Sequence, residues 1–128
     1  VSEGIEGQLY SNVLSPPTSF SPAPGGPDDA HVSAVVTTSD ARIMTLWQKG
    51  ADGPALSLDV LTKTGQLVKS FSDVSLSSSL STAKKYRPRA ALTAAGDLMV
   101  VWWDKSTPND KMLLKGVIHP RLLDQLAD

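Results

Sequence analysis

Three tryptophans, a set of aspartates and two histidines are the side chains of this sequence with chemistry to offer. Trp47, Trp102 and Trp103 carry large aromatic faces. When such a face is exposed it can stack on a sugar ring; when covered it fills a core. Asp52, Asp104 and Asp110 follow the two tryptophan-bearing stretches. Clustered carboxylates supply the oxygen ligands of Ca2+, but their spacing fits no EF-hand or glycine-rich calcium repeat, which favours solvated turn residues and no metal. His31 and His119 have no second histidine or carboxylate at ligand spacing. The serine run Ser75 to Ser81 carries no Gly-x-Ser-x-Gly elbow and reads as a connector. Cysteine is absent, which removes disulfides, thiolate metal sites and thiol catalysis. These residues describe a non-enzymatic protein without a cofactor. Trp103, with Asp104 and Asp52, forms its candidate binding set.

The background composition narrows the partners. The chain has 128 residues, 41% hydrophobic and 20% charged, enough for a globular core. Its net charge of −1 and lack of basic runs give no footprint for nucleic acid. No apolar stretch approaches the roughly 20 residues of a transmembrane helix.

The elements that must position these side chains repeat. HVSAVVTTSDARIMTLWQKGADG (His31 to Gly53) and YRPRAALTAAGDLMVVWWDKSTPND (Tyr86 to Asp110) are each a short strand, a turn of small residues, a second strand ending in Trp, and a charged loop. A shift of 55 residues superposes Thr38 on Thr93, Met44 on Met99 and Trp47 on Trp102. The shared position of Trp47 and Trp102 marks them as core, whereas Trp103 falls opposite Gln48. LSLDVLT (Leu56 to Thr62) and Gln66 to Phe71 supply third and fourth strands, with Leu56, Leu58 and Val60 on one face. GIEGQLY (Gly4 to Tyr10) and KMLLKGVI (Lys111 to Ile118) fit the same third slot, with Gly7, Asp59 and Gly116 aligned. Residues 11 to 30 are crowded with Pro, Gly and Ser and read as loop, with a short edge strand near Thr18 to Ser21. Arg121 to Ala127 is a fourth strand by position and a short helix by composition.

Short strands repeated at this period predict an all-β fold of antiparallel, four-stranded, blade-like meanders of a β-propeller, with a β-sandwich as the alternative. The parts are a partial blade at 1–30, a full blade at 31–82 and a second blade at 83–128. Leu98 to Trp103 is apolar without alternation, which predicts a strand covered on both faces.

The stretches RPRAALTAAGDLMVVWWD and HVSAVVTTSDARIMTLWQ resemble a blade repeat of large secreted bacterial proteins. That repeat reads roughly Pro-x-Val-Ala-Ala-Leu-x-x-Gly-Gly-Phe-Val-Val-Val-Trp. GIEGQLYSN and LDVLTKTGQLV resemble its closing strands. In the first copy His31 replaces the Pro, and Ser39-Asp40-Ala41 replaces the Gly turn. The resemblance implies a blade-like meander and an extracellular or cell-surface setting, and brings no catalytic residues. A sialidase-like propeller glycosidase, with catalytic residues elsewhere, is the enzymatic alternative. Thr38 to Trp47 only echoes an Asp box, lacking its Gly, and Arg42, Arg87, Arg89 and Arg121 assemble no arginine triad.

About two and a half units cannot close a ring of four to eight blades. The sequence opens in mid-unit at Val1, which suits a processed form, a piece of a longer chain, or a subunit of a filament or virion. The expected partners are other chains, in a homo- or hetero-oligomer that Gly4–Tyr10 helps to complete by strand addition. A glycan is the expected small ligand.

Overall fold

The computed structural model describes residues 7–9, 18–75, 84–105, 112–122 and 124. They form nine strands: β1 (Gly7–Leu9), β2 (Thr18–Phe20), β3 (Ala30–Thr37), β4 (Ile43–Lys49), β5 (Ser57–Leu61), β6 (Leu67–Phe71), β7 (Lys84–Leu92), β8 (Leu98–Lys105) and β9 (Leu113–His119). No α-helix occurs among the described residues. The strands make three antiparallel sheets in sequence order, β1-β2, β3-β4-β5-β6 and β7-β8-β9, and none closes into a barrel. The all-β, antiparallel expectation therefore holds.

Three hairpins share one turn. Thr38, Thr62 and Thr93 each donate the backbone N–H to the carbonyl four residues on, in Arg42, Gln66 and Asp97. Each threonine Oγ1 also accepts from the backbone N–H of that same residue, at 2.9, 3.1 and 3.0 Å. The residue before it takes a positive φ: Ala41 at 67°, Gly65 at 89° and Gly96 at 91°. Threonine thus closes the loop from one side and a left-handed residue turns it from the other.

The repeat persists in the ladders. Val36 pairs with Met44 as Ala91 pairs with Met99, and His31 with Gln48 as Tyr86 with Trp103. Both first strands carry a β-bulge at the same height, between Val32 and Ala34 and between Tyr86 and Arg89. The third strands depart from the sequence alignment by one residue. Met44 faces Val60, and its equivalent Met99 faces Ile118, so Ile118 is the counterpart of Val60 rather than Leu61. One residue of slip exchanges the faces of a strand, so Gly116 answers to Leu58 rather than Asp59.

Equivalent faces point the same way along the stack. Met44, Leu46, Leu58 and Val60 of the middle sheet are buried in one core with Leu98, Val100 and Trp102 of the third sheet. The opposite face of the middle sheet is covered by residues 20–27. Thr45 Oγ1 donates to the carbonyl of Pro22, and the Gly25 N–H donates to Asp59 Oδ2 at 2.8 Å. Ser70 Oγ donates to Asp59 Oδ1 at 2.5 Å. A Cβ on Gly26 would lie 3.2 Å from the Trp47 ring. β4 and β5 are therefore buried on both faces nearly throughout.

β8 differs from the expectation drawn from its apolar sequence. Its burial alternates: Leu98, Val100, Trp102 and Asp104 face the core, while Met99 and Trp103 are exposed. The third sheet has a covering sheet on one side alone among the described residues, so continuous apolarity here marks one buried and one open face. β7 spans Lys84–Leu92, starting ahead of the repeat copy at Tyr86, and it passes through Pro88 because that residue falls in the bulge, where a strand tolerates a missing donor. At the other end, Leu122 is buried in the core and the Asp124 N–H donates to the Arg121 carbonyl at 3.0 Å. The rest of the helix-or-strand question over Arg121 to Ala127 falls outside the described residues, as do residues 76–81 of the serine run and Asp110.

Candidate functional site

The sequence-derived set of Trp103, Asp104 and Asp52 is not brought together. Trp103 and Asp104 are neighbours in β8 and so project to opposite faces. Asp52 lies in the loop after β4, with its Oδ2 3.3 Å from Lys84 Nζ. Asp104 is not the solvated turn residue expected of it. It lies within β8, 3% exposed, because the strand runs on to Lys105. Its Oδ2 accepts from Trp102 Nε1 at 3.1 Å, and its Oδ1 lies 3.5 Å from Lys115 Nζ. Trp102 is core, as its place in the repeat predicted, whereas Trp47 is half-buried against Gly26.

Beside Asp104 the structure buries a lysine that sequence reasoning missed. Lys85 is its cross-strand partner, 1% exposed, and donates to the carbonyl of Pro54. Burial holds the Lys85 ammonium below the usual lysine range; Asp73 and Asp104 oppose that shift and Lys115 adds to it. The group has the chemistry of a latch, tying the third sheet to the loop that leaves β4. Lys85 lies in a polar, Pro-interrupted segment (KKYRPR) that gives no apolar alternation to mark an inward position.

On the other side of β8, Trp103 stands in a row with its ladder partners Tyr86 and Leu114, and the row of Val101, Arg89 and Gly116 separates it from that of Met99 and Ile118 on the same face. Trp103 is 38% exposed and Leu114 63%. Tyr86, Arg87, Trp103 and Met112 enclose a shallow depression of about 350 Å3 on this face.

A second concavity, of about 430 Å3, opens between β3 and β7. His31, Ser33, Gln48, Arg87 and Arg89 line it. Gln48 is fully buried, and its Nε2 donates to the carbonyls of Gly53 and Lys85, both at 3.0 Å. Its signal in the sequence was a polar residue where the second copy has Trp103. His119, the other histidine, has its Nε2 2.5 Å from the carbonyl oxygen of Val74.

Comparison with protein-family models, with curated proteins and with solved structures finds no match in any of the three. No helix among the described residues is long and apolar enough to cross a membrane.

Proposed function

We propose that this chain is a non-enzymatic assembly module of β-propeller-type blades, acting in an extracellular or cell-surface structure, and that its missing blades come from further copies of itself. One observation carries the reading. The middle sheet buries its Met44 and Leu46 face under the third sheet, while the equivalent Met99 and Trp103 face of the third sheet lies open with Leu114 and Ile118. At the other end of the stack, residues 20–27 cover the centre of the middle sheet's opposite face, and Val35 on β3 and Leu67 on β6 remain exposed at its two edges. A trailing apolar face and a leading face that keeps exposed apolar residues at both edges differ from each other, which fits a head-to-tail contact that generates a ring when the rotation closes. A β-sandwich is favoured less, because its two repeats would turn equivalent faces towards each other.

The resemblance of both copies to secreted bacterial blades supports the setting and the absence of catalytic residues. The test is the solution mass of the chain by light scattering. Native protein should be a multimer, and a Trp103→Lys/Ile118→Lys variant with an unchanged far-UV spectrum should be a single chain. A native protein that stays a single chain at about 100 μM, where weak specific contacts already form, overturns the reading.

The depression at Trp103 favours a second reading, a sugar ring stacked on that indole. Quenching of tryptophan fluorescence by neutral oligosaccharides, abolished in Trp103→Lys, would support it over self-assembly.

A further inference from the structure

We infer that the cleft between β3 and β7 binds an acidic sugar, a ligand carrying a carboxylate together with free hydroxyls. The two β-bulges of the repeat meet there: Ser33 in β3 and Arg87-Pro88 in β7 both line the cleft. Bulges re-aim side chains that a regular ladder would send elsewhere. Arg87 adopts a φ of 50°, the left-handed region, which strains a non-glycine residue and is retained where surrounding structure or function requires it.

The polar groups of the cleft ask for two different things. Arg87 and Arg89 line the cleft and carry guanidinium donors; Arg89 Nη1 donates to the Pro88 carbonyl at 2.8 Å, and among the described residues no carboxylate lies within ion-pair distance of either arginine. They call for an anion, which a guanidinium binds best through two parallel hydrogen bonds. Gln48 calls for a donor. Its amide orientation is set by the two carbonyls that its Nε2 serves, since the reversed amide would bring oxygen against both. Its Oε1 is buried with no hydrogen-bond partner among the described residues, and so is Ser33 Oγ. A buried oxygen left unpaired is costly, and a ligand hydroxyl that reached it would relieve that cost.

A simple carboxylate such as acetate satisfies the arginines and brings no donor to Gln48. A neutral sugar satisfies Gln48 and Ser33 and leaves the guanidiniums unmet. A hexuronic acid brings both groups on one ring, and the cleft lies within the volume range of small-ligand sites. The cleft lies between two sheets of one chain, so this inference does not depend on self-assembly.

The test is calorimetric titration with glucuronate and galacturonate, with glucose and acetate as controls. It is run on the native chain and on the Trp103→Lys/Ile118→Lys variant, so that loss of assembly is read separately from loss of binding. Binding of a uronate should weaken about tenfold or more in Arg87→Gln/Arg89→Gln, and by a smaller factor in Ser33→Ala. Glucose and acetate should each bind about tenfold more weakly than the uronate. The inference is overturned by any of three results: no uronate binding at about 10 mM, equal binding by acetate, or unchanged affinity in the double arginine variant.

Discussion

Ala41 and Gly96 occupy the same place in the first hairpin of each of the two repeat copies, and both hold a positive φ, 67° and 91°. The backbone demand is the same at both positions, and the second copy alone meets it with glycine. An L-residue in the left-handed region loses roughly 1–2 kcal/mol, part of which glycine returns through its larger unfolded-state entropy. Ala41→Gly should therefore stabilise the chain by about 0.5–1 kcal/mol, and Gly96→Ala should destabilise it by a similar amount. Urea midpoints of the two variants check this; a midpoint that falls for Ala41→Gly contradicts it.

Trp102 and Trp103 are adjacent in sequence and opposite in consequence. Trp102 lies in the core at 4% exposure with its Nε1–H on Asp104. Trp102→Ala should cost about 3–5 kcal/mol. Trp103→Ser should leave the stability of the single chain within about 0.5 kcal/mol, because its ring lies on the open face. Equal losses in denaturant titrations would mean that the two faces of the third sheet are not distinct.

Asp59 pins the segment that covers the middle sheet, accepting from the Gly25 N–H at 2.8 Å and Ser70 Oγ at 2.5 Å. Asp59→Ala leaves both donors without that acceptor and should cost about 2–4 kcal/mol. It should also admit protease between residues 21 and 29 before global unfolding, read as an early cleavage product. Cleavage no faster than in the native chain would show that the segment is held by other contacts.

Lys85 gives the stability a specific pH dependence. Its folded value is depressed below 10.5, first by burial, with Asp73 and Asp104 working against the shift. Between that depressed value and 10.5 the unfolded chain binds a proton that the folded chain has released, so unfolding free energy rises with pH across this window. The contribution is complete above 10.5 and is lost as pH falls through the folded value. Lys85→Met should flatten the rise, as read from urea midpoints taken over that window. An identical slope in the variant would place the dependence elsewhere.

Much of this architecture was legible because strands announce themselves by period and turns by residue type. The hairpins at Thr38-Ser39-Asp40 and Ala94-Ala95-Gly96-Asp97 were readable, as was the burial of Trp102 from its place in the repeat. What escaped was polar. Asp59 and Thr45 sit in apolar strands because one face of the middle sheet meets backbone groups of residues 22 and 25 instead of hydrocarbon. Lys85 and Gln48 are buried because carbonyls of Pro54, Gly53 and Lys85 accept from them. Such partners are distant in sequence and leave no periodic signal. The apolar run of β8 misled for a different reason: composition reports how much surface a strand would bury, and the third sheet has a cover on one side among the described residues.

The paired positions Trp102 and Lys115 are three residues further apart along the chain than Trp47 and Ser57, yet the ladders on either side keep their register. Lengthening a loop is cheap, about 0.6 kcal/mol for each doubling. The passage from β8 to β9 is thus the writable part of the scaffold. A peptide epitope or a fluorescent tag inserted after Lys105 should leave the ladder between β8 and β9 in register.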